Sequence, residues 1–348
     1  MTKPLRFALL GTGFWARFQL AGWIEAGGVA CVALYNRTVS KAEALAAEFG
    51  VPRVYGSVEE LLDSEQLDFV DICTAVELHA EQTLMAAQRG LPVVCQKPMA
   101  TTLEEAERMV KGCRDAGVPL FINENFRWQH PIRQFKRILD EGRIGRPFRA
   151  RIDFRSSFPV FDNQPFLKDL EQFMLTDVGS HILDVARFLF GEATTLYAHT
   201  TRIHPDIKGE DVATVMMTMG DGVTVVCEMS YATRREHDCF PETFIEVEGD
   251  RGFLELGPHQ WIRETTEAGT LARRFVPPRY PWADPAYDQV HASIVPAQAD
   301  FVRAFQTGTQ AETNGADNLK TVRLVFGSYE SASTGQVLGV DKLQPPGW

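Results

Sequence analysis

Apolar residues along the first third of the chain fall into short runs that alternate with longer stretches of helical spacing. The runs are rich in β-branched or aromatic residues and predict five strands, at Arg6–Leu10, Ala30–Tyr35, Phe69–Cys73, Pro92–Cys95 and Leu120–Ile122. Segments such as SKAEALAAEFG and TLEEAERMVKGCRDAG lie between them and carry helix formers with terminal glycines. Alternating strands and helices are typical of βαβ units, so residues 1–125 are predicted to form a doubly wound parallel sheet, an α/β domain.

The pattern changes after a predicted connecting helix at His130–Glu141. Short strands now follow one another through tight turns, and two glycine-containing turns suit hairpins: Gly220-Asp221-Gly222 and Gly249-Asp250-Arg251-Gly252. Further helices are predicted to begin near Thr176 and to cover Ala297–Gln306 and Asn318–Gly335. We therefore predict a second, α+β domain over residues 126–348, with a mostly antiparallel open sheet. Helices are expected on one face of this sheet, and the other face is expected to support a homodimer or homotetramer.

Composition narrows the class of protein. A chain of 348 residues exceeds what one hydrophobic core usually supports, which also favours two domains with a ligand between them. The net charge of −11 disfavours nucleic acid or an anionic membrane as a partner and leaves a small neutral substrate. Six cysteines without a CxxC pair predict reduced thiols and no metal site: Cys31, Cys73, Cys95, Cys113, Cys227 and Cys239.

The N-terminal run FALLGTGFWA faintly imitates a signal peptide, but it holds two glycines and Arg17 follows at once. We interpret it as the first strand. No stretch reaches the length of about eighteen apolar residues that a membrane span needs, so a cytoplasmic enzyme is expected.

The turn Gly11-Thr12-Gly13-Phe14-Trp15-Ala16 has the GxGxxA pattern directly after the first predicted strand. In this context the pattern indicates a dinucleotide-binding Rossmann domain. Gly11 permits the tight turn, Gly13 lets the backbone approach the pyrophosphate, and amides from Phe14 and Trp15 onward supply donors. An ordinary strand-to-helix turn is the alternative.

The second predicted strand ends in Tyr35-Asn36-Arg37-Thr38, where an acidic residue normally binds the adenosine ribose of NAD. That acid is missing. Asn36 can still bind a hydroxyl, and Arg37 can stack on adenine or bind a 2′-phosphate, so NAD and NADP both remain open. Arg37 can equally lie in a solvent-facing turn.

Three polar residues are candidates for catalysis. Lys97 follows the fourth predicted strand, at the edge of the sheet where such folds bind ligands. In LTDVGSHILDVARFLFG, α-helical spacing predicts that Asp177, His181 and Asp184 share one stripe. A histidine oriented by Asp177 could accept a hydroxyl proton. A solvated lysine, a capping aspartate and a packed histidine are the alternatives.

The segment Phe161–Phe166 places polar side chains between aromatic ones, a combination that suits a polyol. Asn163 is predicted to donate to a substrate hydroxyl and Phe166 to form an apolar wall. A proline-containing surface loop would have the same composition.

Taken together, GTGFWA, DICTAVELHAEQTLMAAQRGLPVVCQKPMA and DVGSHILD resemble the Gfo/Idh/MocA oxidoreductase family over nearly the whole chain. The resemblance implies a catalytic group of Lys97, Asp177 and His181, and a Lys97–Pro98 bond that is often cis. It also implies further cofactor contacts, from Thr74, Ala75, Val76, Leu78, His79, Gln96, Lys97 and Asn125. Gln96 replaces the usual glutamate of the family motif, and Ala75 stands where proline is common.

Within the family, segments such as CQKPMA, RIDFRSSFPVFDNQPFLKDLEQF and HPDIKGEDVATV are most similar to dehydrogenases that oxidise the branched pentose D-apiose to its lactone with NAD. The implied reaction is hydride transfer from a sugar hydroxyl to NAD(P). Lys97 would bind the hydroxyl, His181 would accept its proton and Asp177 would orient the pair. Inositols, other aldoses or amino sugars are alternative substrates, and a dinucleotide-binding regulatory sensor without turnover is an alternative of another class.

Overall fold

A computed structural model describes residues 3–236, 238 and 240–343, so Cys239 and the tail Gln344–Trp348 lie outside the described residues. Internal contacts divide the chain into two compact units. The first unit runs to Glu124 and includes Pro281–Ala283 and Ile294–Val322, and the second contains the remaining described residues. The predicted domain boundary after residue 125 stays a prediction.

The first unit is built around a parallel sheet with helices between its strands. In chain order its elements are β1 (Leu5–Leu10), α1 (Ala16–Ala26), β2 (Val29–Tyr35), α2 (Val39–Phe49), β3 (Val54–Tyr55), α3 (Val58–Ser64), β4 (Phe69–Ile72), α4 (His79–Gln88), β5 (Val93–Cys95), α5 (Leu103–Asp115) and β6 (Leu120–Ile122). The strand order is β3-β2-β1-β4-β5-β6. This is the doubly wound parallel sheet that the sequence predicts, extended at one edge by the two-residue strand β3.

Aromatic side chains fill the core of this unit. Phe7 on β1 stacks on Phe69 of β4 with ring centroids 5.0 Å apart, and Trp23 of α1 packs beside both rings. Phe301, which also belongs to this unit, stacks on Phe121 of β6 at 5.4 Å. These rings are almost fully buried. Their contacts fix the strands whose carboxyl ends carry the candidate residues.

The second unit contains a mixed sheet. Its elements are α6 (His130–Asp140), β7 (Pro147–Arg155), α7 (Val160–Asn163), α8 (Ser180–Phe190), β8 (Ala193–Thr201), β9 (Val212–Met219), β10 (Thr224–Ser230), β11 (Phe244–Gly249), β12 (Gly252–Gly257), β13 (Trp261–Thr266), β14 (Gly269–Arg274) and β15 (Leu338–Gly339). Two further helices, α9 (Asp288–Thr307) and α10 (Gly315–Thr334), each have residues assigned to both units. The order is β14-β13-β12-β11-β7-β10-β9-β8-β15. Among the described residues of this second sheet, only β7 and β10 pair in parallel, which confirms a mostly antiparallel sheet.

The two faces of this sheet differ in solvent exposure. Along β9 the residues Ala213, Val215, Met217 and Met219 are buried, and the residues between them are exposed. Helix α8 packs against β7 and β10 on the buried face. The predicted hairpins are confirmed, since Gly220–Gly222 joins β9 to β10 and Gly249–Gly252 joins β11 to β12. One face is therefore helix-covered, as the alternation predicts.

Across the described residues, no helix combines the length and apolar character that a membrane crossing requires.

Candidate active site and cofactor-binding turn

The glycine-rich turn joins β1 to α1. Gly11 has φ +96°, and a Cβ there would lie 2.6 Å from the carbonyl oxygen of Cys73, so only glycine fits. Its N–H donates to the carbonyl of Tyr35 at 2.8 Å, which ties the turn to the end of β2. At Gly13 no atom lies within 4 Å of the position that a Cβ would take. This opening at the start of α1 is where a Rossmann domain approaches a pyrophosphate.

The helix that follows the turn begins at Ala16, whose N–H donates to the carbonyl of Gly13 at 3.2 Å. Phe14 is 47% exposed, and both Phe14 and Trp15 pack against Phe18. The first amides of a helix lack intrahelical acceptors and favour an anion. The turn therefore fits a dinucleotide: it has an opening at Gly13 and donors at the start of α1.

Asn36 lies directly beside this turn. Its Oδ1 accepts from the N–H of Thr12 at 3.4 Å, and its Nδ2 donates to the carbonyl of Thr38 at 3.0 Å. Arg37 is exposed. A neutral amide and a guanidinium at this place give no repulsion against a 2′-phosphate.

The segment after β4 contains the next group of predicted cofactor contacts. Thr74 donates its hydroxyl to Gln82 Oε1 at 2.7 Å, and Val76–Leu78 forms a short 3-10 turn with Leu78 exposed. His79 is buried, with Nε2 3.2 Å from the carbonyl of Thr74 and Nδ1 3.1 Å from that of Pro98. Burial lowers the pKa of His79, so the ring is neutral and donates to one of these carbonyls. It connects the segment after β4 with the segment after β5.

Lys97 lies at the carboxyl end of β5, half-buried, and the Lys97–Pro98 peptide bond is cis, as the resemblance implies. The preceding Gln96 is buried, and its Oε1 accepts from the N–H of Lys97 at 2.9 Å. The side chain of Gln96 therefore holds the main chain of Lys97.

In the second unit, Asp177 lies on a π-helical turn, Leu175–Gly179, and His181 lies on the first turn of α8. The α-helical spacing assumed for this stretch is therefore wrong at its start, because the wider π turn changes which side chains align. π turns are frequent at functional sites. His181 is 5% exposed, and its ring stacks on the nearly parallel ring of Phe126 with centroids 3.8 Å apart.

Asp184, the third residue of the predicted stripe, forms an ion pair. It is fully buried and accepts from Nε of Arg127 at 2.7 Å and from a second nitrogen of the same guanidinium. Arg187 lies beside it. A buried, bidentate ion pair of this kind is a structural contact, so the predicted polar stripe ends at His181.

Two tyrosines missed by the sequence reasoning lie near Asp177. Burial, followed by the negative charge of Asp177, raises the pKa of Tyr231. Burial also raises the pKa of Tyr287, whereas the nearby side chain of Asn163 lowers it. The structure therefore groups Asn163 and Asp177 with two buried phenols. These phenols come from β-strand ends and loops more than 50 residues farther along the chain, where the sequence carries no periodic signal.

The predicted substrate contact Phe166 and the predicted cofactor contact Asn125 differ in exposure. Phe166 is 60% exposed, on a 3-10 turn that follows α7. Asn125 is buried, and its Nδ2 donates to Ser293 Oγ at 2.9 Å and to the carbonyl of Val290 at 3.2 Å. In the part of the chain that the structure describes, no group of three or more His, Cys, Asp or Glu residues could hold a metal ion.

Comparisons with known proteins agree with these features over both units. Residues 5–124 match the family model described as an oxidoreductase family with an NAD-binding Rossmann fold, and residues 132–255 match the GFO/IDH/MocA C-terminal domain. The chain is 42% identical to a D-apiose dehydrogenase of Paraburkholderia graminis, over 98% of this chain and 91% of the relative. It is 39% identical to a D-apiose dehydrogenase of Rhizobium rhizogenes, over 97% and 98% of the two chains.

Comparison with a solved structure shows the same fold. An oxidoreductase from Agrobacterium radiobacter, in complex with NAD+, L-tartaric acid and magnesium, superposes with a TM-score of 0.96 at 38% identity, covering 99% of this chain and 100% of that one. The match confirms the predicted fold class.

Proposed function

We propose, since the chain belongs to the Gfo/Idh/MocA oxidoreductase family, that it oxidises the hemiacetal carbon of an aldose such as D-apiose to the lactone with NAD+. Membership in the family confirms the predicted NAD-binding Rossmann domain and the NAD(P)-dependent dehydrogenase class. The substrate proposal is supported by the two relatives named for D-apiose, which match over nearly their full length. The observation that carries the catalytic proposal is that Lys97, Asp177 and His181 occupy all three positions of the catalytic group that the family resemblance implies.

In this proposal the dinucleotide is held by the turn Gly11–Ala16, by Asn36 and Arg37, and by the segments around Thr74 and Gln96. When bound, NAD+ supplies the hydride acceptor. The opening at Gly13 and the donors at the start of α1 support this placement. Asn36 favours neither cofactor by charge, so we expect both to be used. The resemblance to NAD-dependent D-apiose dehydrogenases leads us to expect that NAD is preferred over NADP by a modest margin.

The proposed roles of the chain's own residues follow from their chemistry. The ammonium of Lys97 binds and polarises the reacting hydroxyl, which favours loss of its proton. His181 accepts that proton while the C–H bond gives its electron pair as hydride. The stacking of its ring on Phe126 restricts rotation of the imidazole, so a nitrogen can be kept in one direction. Asp177, on the π turn one helical turn earlier, favours the protonated ring that results.

Recognition of the sugar is proposed for the group around Asn163. Its side chain lies near the phenol of Tyr287, and the carboxylate of Asp177 lies near both Tyr287 and Tyr231. Hydroxyl, amide and carboxylate groups beside aromatic rings are what a polyol requires: directed hydrogen bonds and apolar walls. Phe166 would supply a further exposed wall.

A homodimer or homotetramer is also proposed, through the open face of the mixed sheet. Tyr197, Met216 and Val226 are neighbours in one row across β8, β9 and β10, and Met216 is 46% exposed. An apolar row of this kind favours a protein partner. Light scattering after size exclusion checks this, and Met216→Glu should yield monomer. A cytoplasmic location stays a prediction.

Substitution of the three catalytic candidates tests the chemical proposal. Lys97→Ala, Asp177→Ala and His181→Ala should each lower kcat by more than about a hundredfold, roughly 2.7 kcal/mol of barrier, with NADH affinity nearly unchanged. Lys111→Ala is a matched control, because Lys111 is exposed and pairs with Asp115 on α5. Near-normal turnover of the His181 variant would remove it as the base. A purified protein that binds NADH but turns over no sugar would instead favour the sensor.

A further inference from the structure

A carboxylate without an ion-pair partner lies in the middle of the first unit. Asp71 on β4 has no solvent exposure, and the described residues place no lysine or arginine in ion-pair contact with it. Its Oδ2 accepts from Trp23 Nε1 at 2.6 Å and from Gln19 Nε2 at 2.8 Å, and its Oδ1 accepts from Asn123 Nδ2 at 3.3 Å. A buried carboxylate is costly, so its presence requires an explanation.

The hydrogen bonds of Asp71 fix the orientation of a neighbouring amide. An ionised carboxylate only accepts, so Gln19 must turn its NH2 group toward Asp71 and its Oε1 away. Gln96 Nε2 lies 3.5 Å from that Oε1, at the long end of hydrogen bonding, and donates to it. Gln96 Oε1 then faces the opposite way and accepts from the N–H of Lys97 at 2.9 Å. Donors and acceptors thus follow one direction from Asp71 to Lys97.

We propose that Asp71 is a positioning residue that acts through Gln19 to fix the amide of Gln96 and, with it, the main chain of Lys97. The role of Lys97 rests on the proposed function, whereas the hydrogen-bond chain does not. The same geometry explains why glutamine occupies position 96. In a glutamate at 96, a carboxylate oxygen would face Gln19 Oε1, and two acceptors without a proton between them repel each other. Rotation of the Gln19 amide would only move this conflict, because Gln19 Oε1 would then face the carboxylate of Asp71.

The arrangement predicts that position 96 tolerates glutamate only when position 71 no longer accepts from Gln19. Trp23 and Gln19 donate to the same oxygen of Asp71, Oδ2. An asparagine at 71 can therefore present its carbonyl oxygen to both donors and its NH2 group to Asn123, which leaves the orientation of Gln19 unchanged. A leucine at 71 has a similar shape and no acceptor, so the Gln19 amide is free to turn its NH2 group toward a glutamate at 96. Asp71→Leu and Gln96→Glu should therefore compensate each other, whereas Asp71→Asn and Gln96→Glu should not.

A double-mutant cycle of Asp71→Leu and Gln96→Glu tests this, with three measurements on the full chain: NADH affinity by fluorescence, the unfolding midpoint, and kcat and KM for the sugar. Gln96→Glu alone should weaken NADH binding and lower kcat about tenfold or more. The double variant should recover at least about fivefold of each loss relative to the product of the single effects, and its unfolding midpoint should fall by less than the sum of the two single decreases. Asp71→Asn combined with Gln96→Glu should show no such recovery. Gln82→Glu is the matched control, because the Thr74 hydroxyl can donate to either side chain at 82, and it should show no coupling to Asp71→Leu.

Two results would overturn the proposal: Gln96→Glu with the NADH affinity and turnover of the parent, or a double variant no better than the product of the single effects. If Gln96→Glu fails to fold, recovery of folding in the double variant supports the proposal, and failure of both contradicts it. The measurements of NADH affinity and unfolding need no sugar. If both show coupling between positions 71 and 96 but the parent protein turns over no sugar, the proposed function is refuted and the role of Asp71 is retained.

Discussion

Replacement of Asp71 by asparagine should change how the stability of the protein depends on pH. Burial raises the pKa of Asp71 to about 6 from its usual 3.8, against the opposing hydrogen bonds from Trp23, Gln19 and Asn123. Because the folded pKa is above the unfolded one, the native state binds this proton more tightly. The stabilisation is fully present below pH 4 and is lost as the pH rises to about 6.

The size of this loss of stability follows from the pKa shift of Asp71. About 2 pKa units at ~1.36 kcal/mol each give a loss of roughly 3 kcal/mol of unfolding free energy, of which ~1.4 kcal/mol falls between about pH 5 and pH 8. The titratable groups near Asp71 are the thiols of Cys31, Cys73 and Cys95. Burial raises the pKa of all three, so none of them titrates in this range.

Urea unfolding of the parent and of Asp71→Asn, followed by circular dichroism from about pH 5 to pH 8, measures the effect. Relative to the parent, the variant should gain ~1.4 kcal/mol over this interval. Asp115→Asn is the control, because Asp115 is exposed and the hydrogen bond from Lys111 lowers its pKa, which gives a small slope of opposite sign. A difference between parent and Asp71→Asn that is constant with pH would refute the assignment of a charged, buried Asp71.

Three further substitutions test separate parts of the site. Gly13→Val should abolish NADH binding, with the circular dichroism spectrum preserved, because the side chain fills the opening at the start of α1; retained binding would move the pyrophosphate elsewhere. Asn36→Asp should lower kcat/KM with NADP much more than with NAD, because the carboxylate repels a 2′-phosphate, and an unchanged ratio would remove Asn36 from the cofactor site. Asn163→Ala should raise KM for the preferred sugar or lower turnover by about 1–3 kcal/mol of transition-state binding, with NADH affinity unchanged; unchanged constants across a sugar panel would make Phe161–Phe166 a surface loop.

Local patterns were sufficient to predict the sheet of the first unit and the glycine-rich turn. The strands of βαβ units are short apolar runs, and β1, β2, β4, β5 and β6 each begin and end within one residue of the prediction. β3 was missed because its two residues, Val54 and Tyr55, are too few to form a pattern. Lys97 was found because the carboxyl end of a parallel strand is a fixed place in such a fold.

Features that depend on contacts distant in sequence could not be predicted. Asp71 stands in an apolar strand, and only the structure shows Gln19 and Trp23, about 50 residues earlier, donating to it. Residues 294–322 belong to the first unit through contacts such as Gln298 Nε2 with the carbonyl of Gln19. The backbone at the start of the π turn is likewise held by Glu210, more than 30 residues later in the chain, whose carboxylate accepts from the N–H groups of residues 173 and 175.

The most direct test of the account is turnover by the purified protein with NAD+ and a panel of D-apiose, D-xylose, D-glucose and an inositol, followed by the absorbance of reduced nicotinamide. We predict the highest kcat/KM with D-apiose, a lactone as product, and a slower reaction with NADP+. Preference for an inositol would contradict the substrate, and binding of NADH without reduction of NAD+ by any sugar would contradict the assignment as a sugar dehydrogenase.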